Sequence, residues 1–247
     1  MPKIYLSPST QDQNPYVDGS GSEEYWMNLL ADALEPYLYA NTIAFVRNSP
    51  EMTAASSIAQ ANQLGGFDFY LALHSNASGE GQAGKNRGII VFYYPTSSDG
   101  KRAAELFAAQ LRMVYPLPAK VTTQATTTLG EVRRPRYPAN LIELGYHDNY
   151  DDARWIENNL DAAAQAIARG LTEYFGLPFI YPQLVRTGVV TTEGSALRLR
   201  SYPGIDGEVV GSIPNGASVQ VYGSYQGWYS VGYDGQLGYA AQAYIAV

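Results

Sequence analysis

Cysteine is absent from this chain of 247 residues, and that gap excludes disulfides, thiolate metal sites and every thiol nucleophile. Histidine is nearly absent: only His74 and His147 occur. Positive charge is scarce, since 16 Lys and Arg stand against 23 Asp and Glu for a formal net charge of −7. No basic stripe is left to neutralise phosphates, so nucleic acid and anionic lipid surfaces are poor partners. No apolar run approaches the ~20 residues of a membrane helix, and a soluble monomer without membrane insertion is expected. The opening MPKIYLSPST has neither the charged n-region nor the apolar h-region of a secretory signal. A trimmed signal and no signal at all both remain open, because a cysteine-free chain folds in either redox compartment.

What is present alternates. Lys3 to Ser7 reads as a strand, and Glu23 to Tyr39 carries apolar residues at helical spacing (Trp26, Leu29, Leu30, Ala33, Leu34, Leu38). Thr42 to Val46, Asp68 to Leu73, Gly88 to Tyr94 and Asn140 to Leu144 read as further strands. Glu51 to Leu64, Asp99 to Tyr115 and Asp151 to Phe175 read as helices, the last of them as one or two. Thr122 to Thr128 has no clear period and reads as a surface loop or cleft wall. The fold class is therefore α/β, a mostly parallel sheet covered by helices on both faces. After Gly176 the helical period stops, and short alternating runs cut by Pro-Gly, Asp-Gly and Asn-Gly predict a small all-β barrel. The expected division is 1–177 for the α/β domain, 178–187 for a linker and 188–247 for the barrel.

Both histidines fall just beyond a strand, and Ser7 to Gln11 and Glu143 also lie at strand ends. In open parallel sheets ligands bind outside those ends. An isolated histidine is often a structural hydrogen-bonding residue, but imidazole and carboxylate together also suit zinc, which in catalytic sites keeps three protein ligands and one open position.

Leu73-His74-Ser75-Asn76-Ala77 and Leu141-Ile142-Glu143-Leu144-Gly145-Tyr146-His147-Asp148-Asn149 resemble the second histidine motif and the catalytic glutamate motif of the zinc-dependent N-acetylmuramoyl-L-alanine amidases. Arg133, five residues before Pro138, and Glu24 with Asn28 resemble two further segments of that family, in the same order, over about residues 3 to 176. The resemblance implies a peptidoglycan hydrolase that cleaves the amide between N-acetylmuramic acid and L-alanine. It implies Zn2+ as cofactor, Glu143 as general base, His74 and Glu24 as ligands, and Arg133 and Asn76 as substrate contacts. Where the family has a first histidine in Asp-Pro-Gly-His, this chain reads Ser7-Pro8-Ser9-Thr10. His147 is the expected replacement ligand, with Gln11 as second choice. Glu23 is expected to complement the helix dipole.

The C-terminal run, through Leu197-Arg198-Leu199-Arg200, Gly227-Trp228-Tyr229 and Gly238-Tyr239, resembles bacterial SH3 modules. That implies wall binding, with Trp228 as a contact residue or as part of the module's own core, and an extracellular or wall-associated protein. The alternatives are a catalytically silent wall-binding protein and a zinc peptidase acting on stem peptides.

Overall fold

The computed structural model of the chain describes residues 1–247. They form two compact units, one of Lys3–Leu34 with Phe45–Tyr174, the other of Met1–Pro2, Glu35–Ala44 and Phe175–Val247.

The larger unit is built on a six-stranded sheet. Its strands are β1 (Lys3–Pro8), β2 (Ala44–Arg47), β3 (Phe69–Asn76), β4 (Ile89–Tyr93), β5 (Val121–Ala125) and β6 (Ala139–Tyr146), in spatial order β2-β1-β3-β6-β4-β5. β1 with β3, β3 with β6 and β4 with β5 run parallel, while β4 runs antiparallel to β6. The helices are α1 (Glu23–Ala40), α2 (Ala54–Leu64), α3 (Ser98–Leu111), α4 (Gly130–Arg133), α5 (Tyr150–Asn158) and α6 (Leu160–Phe175).

Alternation along the strands sorts side chains to two faces. On one face Tyr5, Tyr70, Ala72, Ala139 and Leu141 join Ile58 and Ala61 of α2 and Val132 of α4 in one cluster. On the other, Phe69 meets Phe107 of α3 and Tyr174 of α6 edge-on. Helices therefore cover both faces, as the alternating sequence predicts.

Two differences from the expectation have local causes. Residues 122–125, part of the segment read as a surface loop or cleft wall, form the edge strand β5 together with Val121. An edge strand is paired on one side only, so its run of threonines shows no buried alternation to read. β6 also contains a bulge. Glu143 is level with His74, yet Tyr146 is level with Asn76, so β6 spends one residue more than β3. Gly145 sits inside this step at φ +134, close to Asp152 and Ile156, where a β-carbon would be crowded.

The bulge is held from outside by Asp152, which is fully buried. Its carboxylate accepts from Tyr146 N (3.1 Å), Gly88 N (2.9 Å), Arg87 Nε (3.0 Å) and the Tyr115 hydroxyl (2.5 Å).

The smaller unit contains a seven-stranded antiparallel sheet of β7 (Arg186–Val190), β8 (Leu197–Arg200), β9 (Val209–Ile213), β10 (Ser218–Tyr225), β11 (Trp228–Tyr233), β12 (Gln236–Ala241) and β13 (Ile245–Ala246). Two-residue loops, Gln226-Gly227 and Asp234-Gly235, join β10 to β11 and β11 to β12 with positive φ at both positions, the turn that suits twisted hairpins. Val190, Leu197, Leu199, Ile213, Val219 and Val231 fill the interior with Tyr229.

Residues 178–187, read as a linker, are partly fixed within this unit. Ile180 is buried, its N–H donates to Asn41 Oδ1 (2.7 Å), and its carbonyl accepts from Asn41 Nδ2 (2.9 Å). A side-chain amide thus stands in for a neighbouring strand, which no hydropathy pattern reveals.

Candidate active site

Strand parity assembles the site. Ser7 is level with Ala72, and His74 is level with Glu143, so Ser7, Tyr70, His74 and Glu143 share the face covered by α2 and α4. Glu131, the second residue of α4, lies against the same face and is 4% exposed.

His74 is the hub, at 7% exposure. Its Nδ1 lies 2.7 Å from Glu23 Oε1 and its Nε2 lies 2.8 Å from Glu131 Oε2. Burial alone would depress the imidazole, but the hydrogen bonds that it donates to Glu131 and Glu23 outweigh it and hold its pKa well above the ordinary 6.5. Burial likewise opposes ionisation of Glu23 and Glu131, and the hydrogen bond and charge of His74 hold both below the usual carboxylate range. Glu131 Oε1 also accepts from Ser7 Oγ (2.6 Å) and the Tyr70 hydroxyl (2.7 Å). Glu23 Oε2 accepts from Asn14 Nδ2 (2.7 Å).

Glu143 differs from its neighbours. Burial pushes its carboxyl up to about 7, with the charge of His74 opposing and those of Glu23 and Glu131 adding. Its Oε2 is sealed from solvent and has no hydrogen-bond partner. A cleft of about 230 Å³, lined by Ser7, Ser9, Thr10, Gln11, Thr53, His74 and Glu131 among others, opens beside this cluster.

The expected ligands are placed unequally. The carboxylate against His74 belongs to Glu23, not Glu24. Adjacent helical positions point ~100° apart, so one of the two must turn away. Glu24 turns towards Asn28, whose Nδ2 lies 3.5 Å from its Oε1, so the spacing that favoured Glu24 does describe a contact, though one that leads away from His74.

His147 also stands apart. The extra residue at the bulge reverses the strand's alternation, so a residue four beyond Glu143 no longer shares its face. Its Nδ1 donates to Ser75 O (2.9 Å), and its ring stacks on Tyr16 at 5.7 Å.

No three His, Cys, Asp or Glu side chains stand together as a metal-binding group. A mixed set does once an amide is counted. Gln11 Nε2 lies 3.4 Å from His74 Nδ1 and 3.3 Å from Glu23 Oε1, and those two atoms lie 2.7 Å apart. Tetrahedral zinc at ~2.0–2.1 Å from each ligand separates the ligands by about 3.3 Å. Two edges already match, and the third is short by the length of a hydrogen bond that a cation would replace.

An amide's oxygen and nitrogen exchange places by a flip, which presents Gln11 Oε1 to this point at the loss of two 3.3 Å hydrogen bonds, from Asn14 and to Glu23. Glu131 on the far nitrogen completes the carboxylate–histidine arrangement usual behind metal ligands. The donor set fits zinc.

Of the remaining expected residues, Arg133 is exposed at the end of α4, and Asn76 Oδ1 accepts from Ala77 N (2.8 Å). Trp228 is partly buried against Ala40, Ile180 and Tyr239, and it also lines an open groove of about 800 Å³ with Arg198 and Tyr244. Glu131, Tyr70 and Asn14 escaped the sequence reading. Glu131 is the only acid between Glu105 and Glu143, a signal that points to a role only once its burial is known.

Among proteins of curated function none matches the chain. Solved structures do. The N-acetylmuramoyl-L-alanine amidase AmiC2 of Nostoc punctiforme is 17% identical with a TM-score of 0.62, over 71% of this chain and 97% of that one. The N-acetylmuramoyl-L-alanine amidase from Clostridium difficile 630 gives 18% and 0.62 over 71% and 97%. The catalytic domain of CwlV from Bacillus (Paenibacillus) polymyxa var. colistinus gives 20% and 0.58 over 71% and 99%. At these identities the likeness is one of fold. Residues 195–246 match the bacterial SH3 domain, and residues 11–173 match the N-acetylmuramoyl-L-alanine amidase family. That second match spans well over half of the sequence, and the chain belongs to the N-acetylmuramoyl-L-alanine amidase family.

Proposed function

We propose that this protein hydrolyses the amide between the lactyl group of N-acetylmuramic acid and L-alanine in peptidoglycan, with Glu143 as the group that moves the proton. The observation that carries this reading is Glu143 itself. Its carboxyl has a pKa near 7 and a sealed, unpartnered oxygen, and it is level with His74, which lines an open cleft.

Zinc would be held by Gln11, Glu23 and His74, and when bound it supplies Lewis acidity at the scissile carbonyl and lowers the pKa of water towards ~7. Glu143 takes the proton from water at its carboxylate and returns it to the departing amine. A carboxyl poised near neutrality does both. Ser9, Thr10 and Thr53 line the cleft where the muramyl peptide enters. Arg133 offers a bidentate donor to a stem-peptide carboxylate, and Asn76 borders the same strand end. In the SH3 module, Trp228 and Tyr244 give the groove an aromatic surface for wall components, which suits an enzyme working at the cell wall.

The test is metal content of the purified protein, followed by release of new amino groups from purified walls. L-alanine amino termini from the wild type and none from Glu143→Gln are expected. Other amino termini would mark a peptidase, and no release from a zinc-loaded wild type refutes the reading.

A further inference from the structure

We propose that Glu131 is a positioning residue that selects which nitrogen of His74 faces the metal. The inference rests on the zinc site described under the proposed function and adds to it a residue that the comparisons do not assign.

An imidazole offers two nitrogens, and the one available to a cation is decided by the hydrogen bond that the other makes. Around His74 the two sides differ in kind. On the Nδ1 side stand the Glu23 carboxylate and the Gln11 amide. On the Nε2 side stands Glu131 alone. Its Oε1 is already occupied by two hydroxyl donors, Ser7 at 2.6 Å and Tyr70 at 2.7 Å, from two different strands. Those bonds fix the plane of the carboxylate and leave Oε2 aimed at His74 Nε2, 2.8 Å away.

A carboxylate so held accepts the Nε2–H, keeps the proton on that nitrogen and turns the Nδ1 lone pair towards Gln11 and Glu23. It also makes the ring a stronger donor to a cation. An ion pair present only for stability would not need one oxygen saturated by two strands and the other reserved for the ring.

Competition with a chromophoric zinc chelator measures the effect on affinity. Loss of such a partner weakens metal binding roughly 10–100-fold. That is the result expected for Glu131→Gln, with Glu131→Asp recovering most of it. Ser7→Ala and Tyr70→Phe, which loosen Glu131 without removing it, should lose about threefold each on the same scale.

Nitrogen NMR of the zinc-loaded protein gives an independent signature, and the spectrum is simple because the chain holds only two histidines. His74 should carry a slowly exchanging Nε2–H that is lost or displaced in Glu131→Gln. The His147→Ala background identifies the signal.

Zinc bound through Nε2, or a folded Glu131→Gln with wild-type affinity and an unchanged Nε2–H, overturns the inference. If Glu131→Gln does not fold, unchanged affinity in both Ser7→Ala and Tyr70→Phe overturns it instead. A wild type that binds no zinc removes the metal reading and this inference together. A wild type that binds zinc indifferently to Glu131 removes the inference alone.

Discussion

Replacing Glu143 by glutamine should abolish activity and, in metal-stripped protein, strengthen the fold as the pH rises. Burial moves this carboxyl from its ordinary 4.5 to about 7 in the folded chain. An acid that holds its proton more tightly when folded favours folding at low pH, and that contribution is lost as the pH climbs through 4.5 towards 7. At ~1.4 kcal/mol for each tenfold change in proton affinity, the interval amounts to about 3 kcal/mol.

Above pH 7 the wild type must keep a charged, unpartnered oxygen in a sealed position. The glutamine variant has no such charge. A unit of this size changes Tm by ~2–4 °C per kcal/mol, so the Tm difference between Glu143→Gln and wild type should widen by roughly 6–12 °C from acid to mildly alkaline pH. Calorimetry across that range in the presence of a chelator reads it directly. Any fixed cost of packing the amide cancels, because only the change with pH matters. A difference that stays flat refutes burial as the dominant influence on Glu143.

Other outcomes follow from the same geometry. Glu23→Gln should lose at least roughly 100-fold in zinc affinity, since it removes a direct ligand where outer partners already cost 10–100-fold, while Glu24→Gln should bind as the wild type does. Elemental analysis of both variants checks this. His147→Ala should retain full zinc occupancy and lose its stacking on Tyr16, about 0.5–1.5 kcal/mol, together with its hydrogen bond to Ser75 O, about 1–3 kcal/mol, by denaturant titration; zinc loss would restore His147 as the displaced ligand. Asp152→Ala strips the acceptor from two backbone N–H groups, Arg87 and Tyr115, and should destabilise the fold by about 3–5 kcal/mol in a thermal melt. Asn41→Ala should cost about 2–4 kcal/mol, because two buried backbone groups of Ile180 lose their partner.

The sequence is legible where one residue type has one physical use. Apolar runs announced β1, β3, β4 and β6, and the positive-φ loop between β11 and β12 follows from Asp-Gly. Parity along β3 puts Tyr70 and His74 on one face, and the register of β1 and β6 against it adds Ser7 and Glu143.

What escaped reading depends on several strands at once. The choice between Glu23 and Glu24 is made by Asn14 and Gln11 in a loop without periodicity. Glu131, followed two residues later by Arg133 and Arg134, reads as a solvated charge, and only the four-residue α4 turns it inward. The direction of β4 is set by its pairing with β6 and leaves no trace in composition.

The bulge in β6 sets the phase of everything that follows it. Upstream positions such as Glu143 are addressed to the cluster around His74, and downstream positions such as His147 are addressed, through Tyr16, to the loop that leads back into α1. Counting residues from Glu143 thus behaves like reading past an inserted letter: the spacing is correct and the meaning has changed. Deleting Gly145 would restore the frame and swing the second histidine towards the first, at the expense of the bonds that Asp152 makes to this segment. A single glycine thereby decides whether the chain's two imidazoles serve one centre or two separate surroundings.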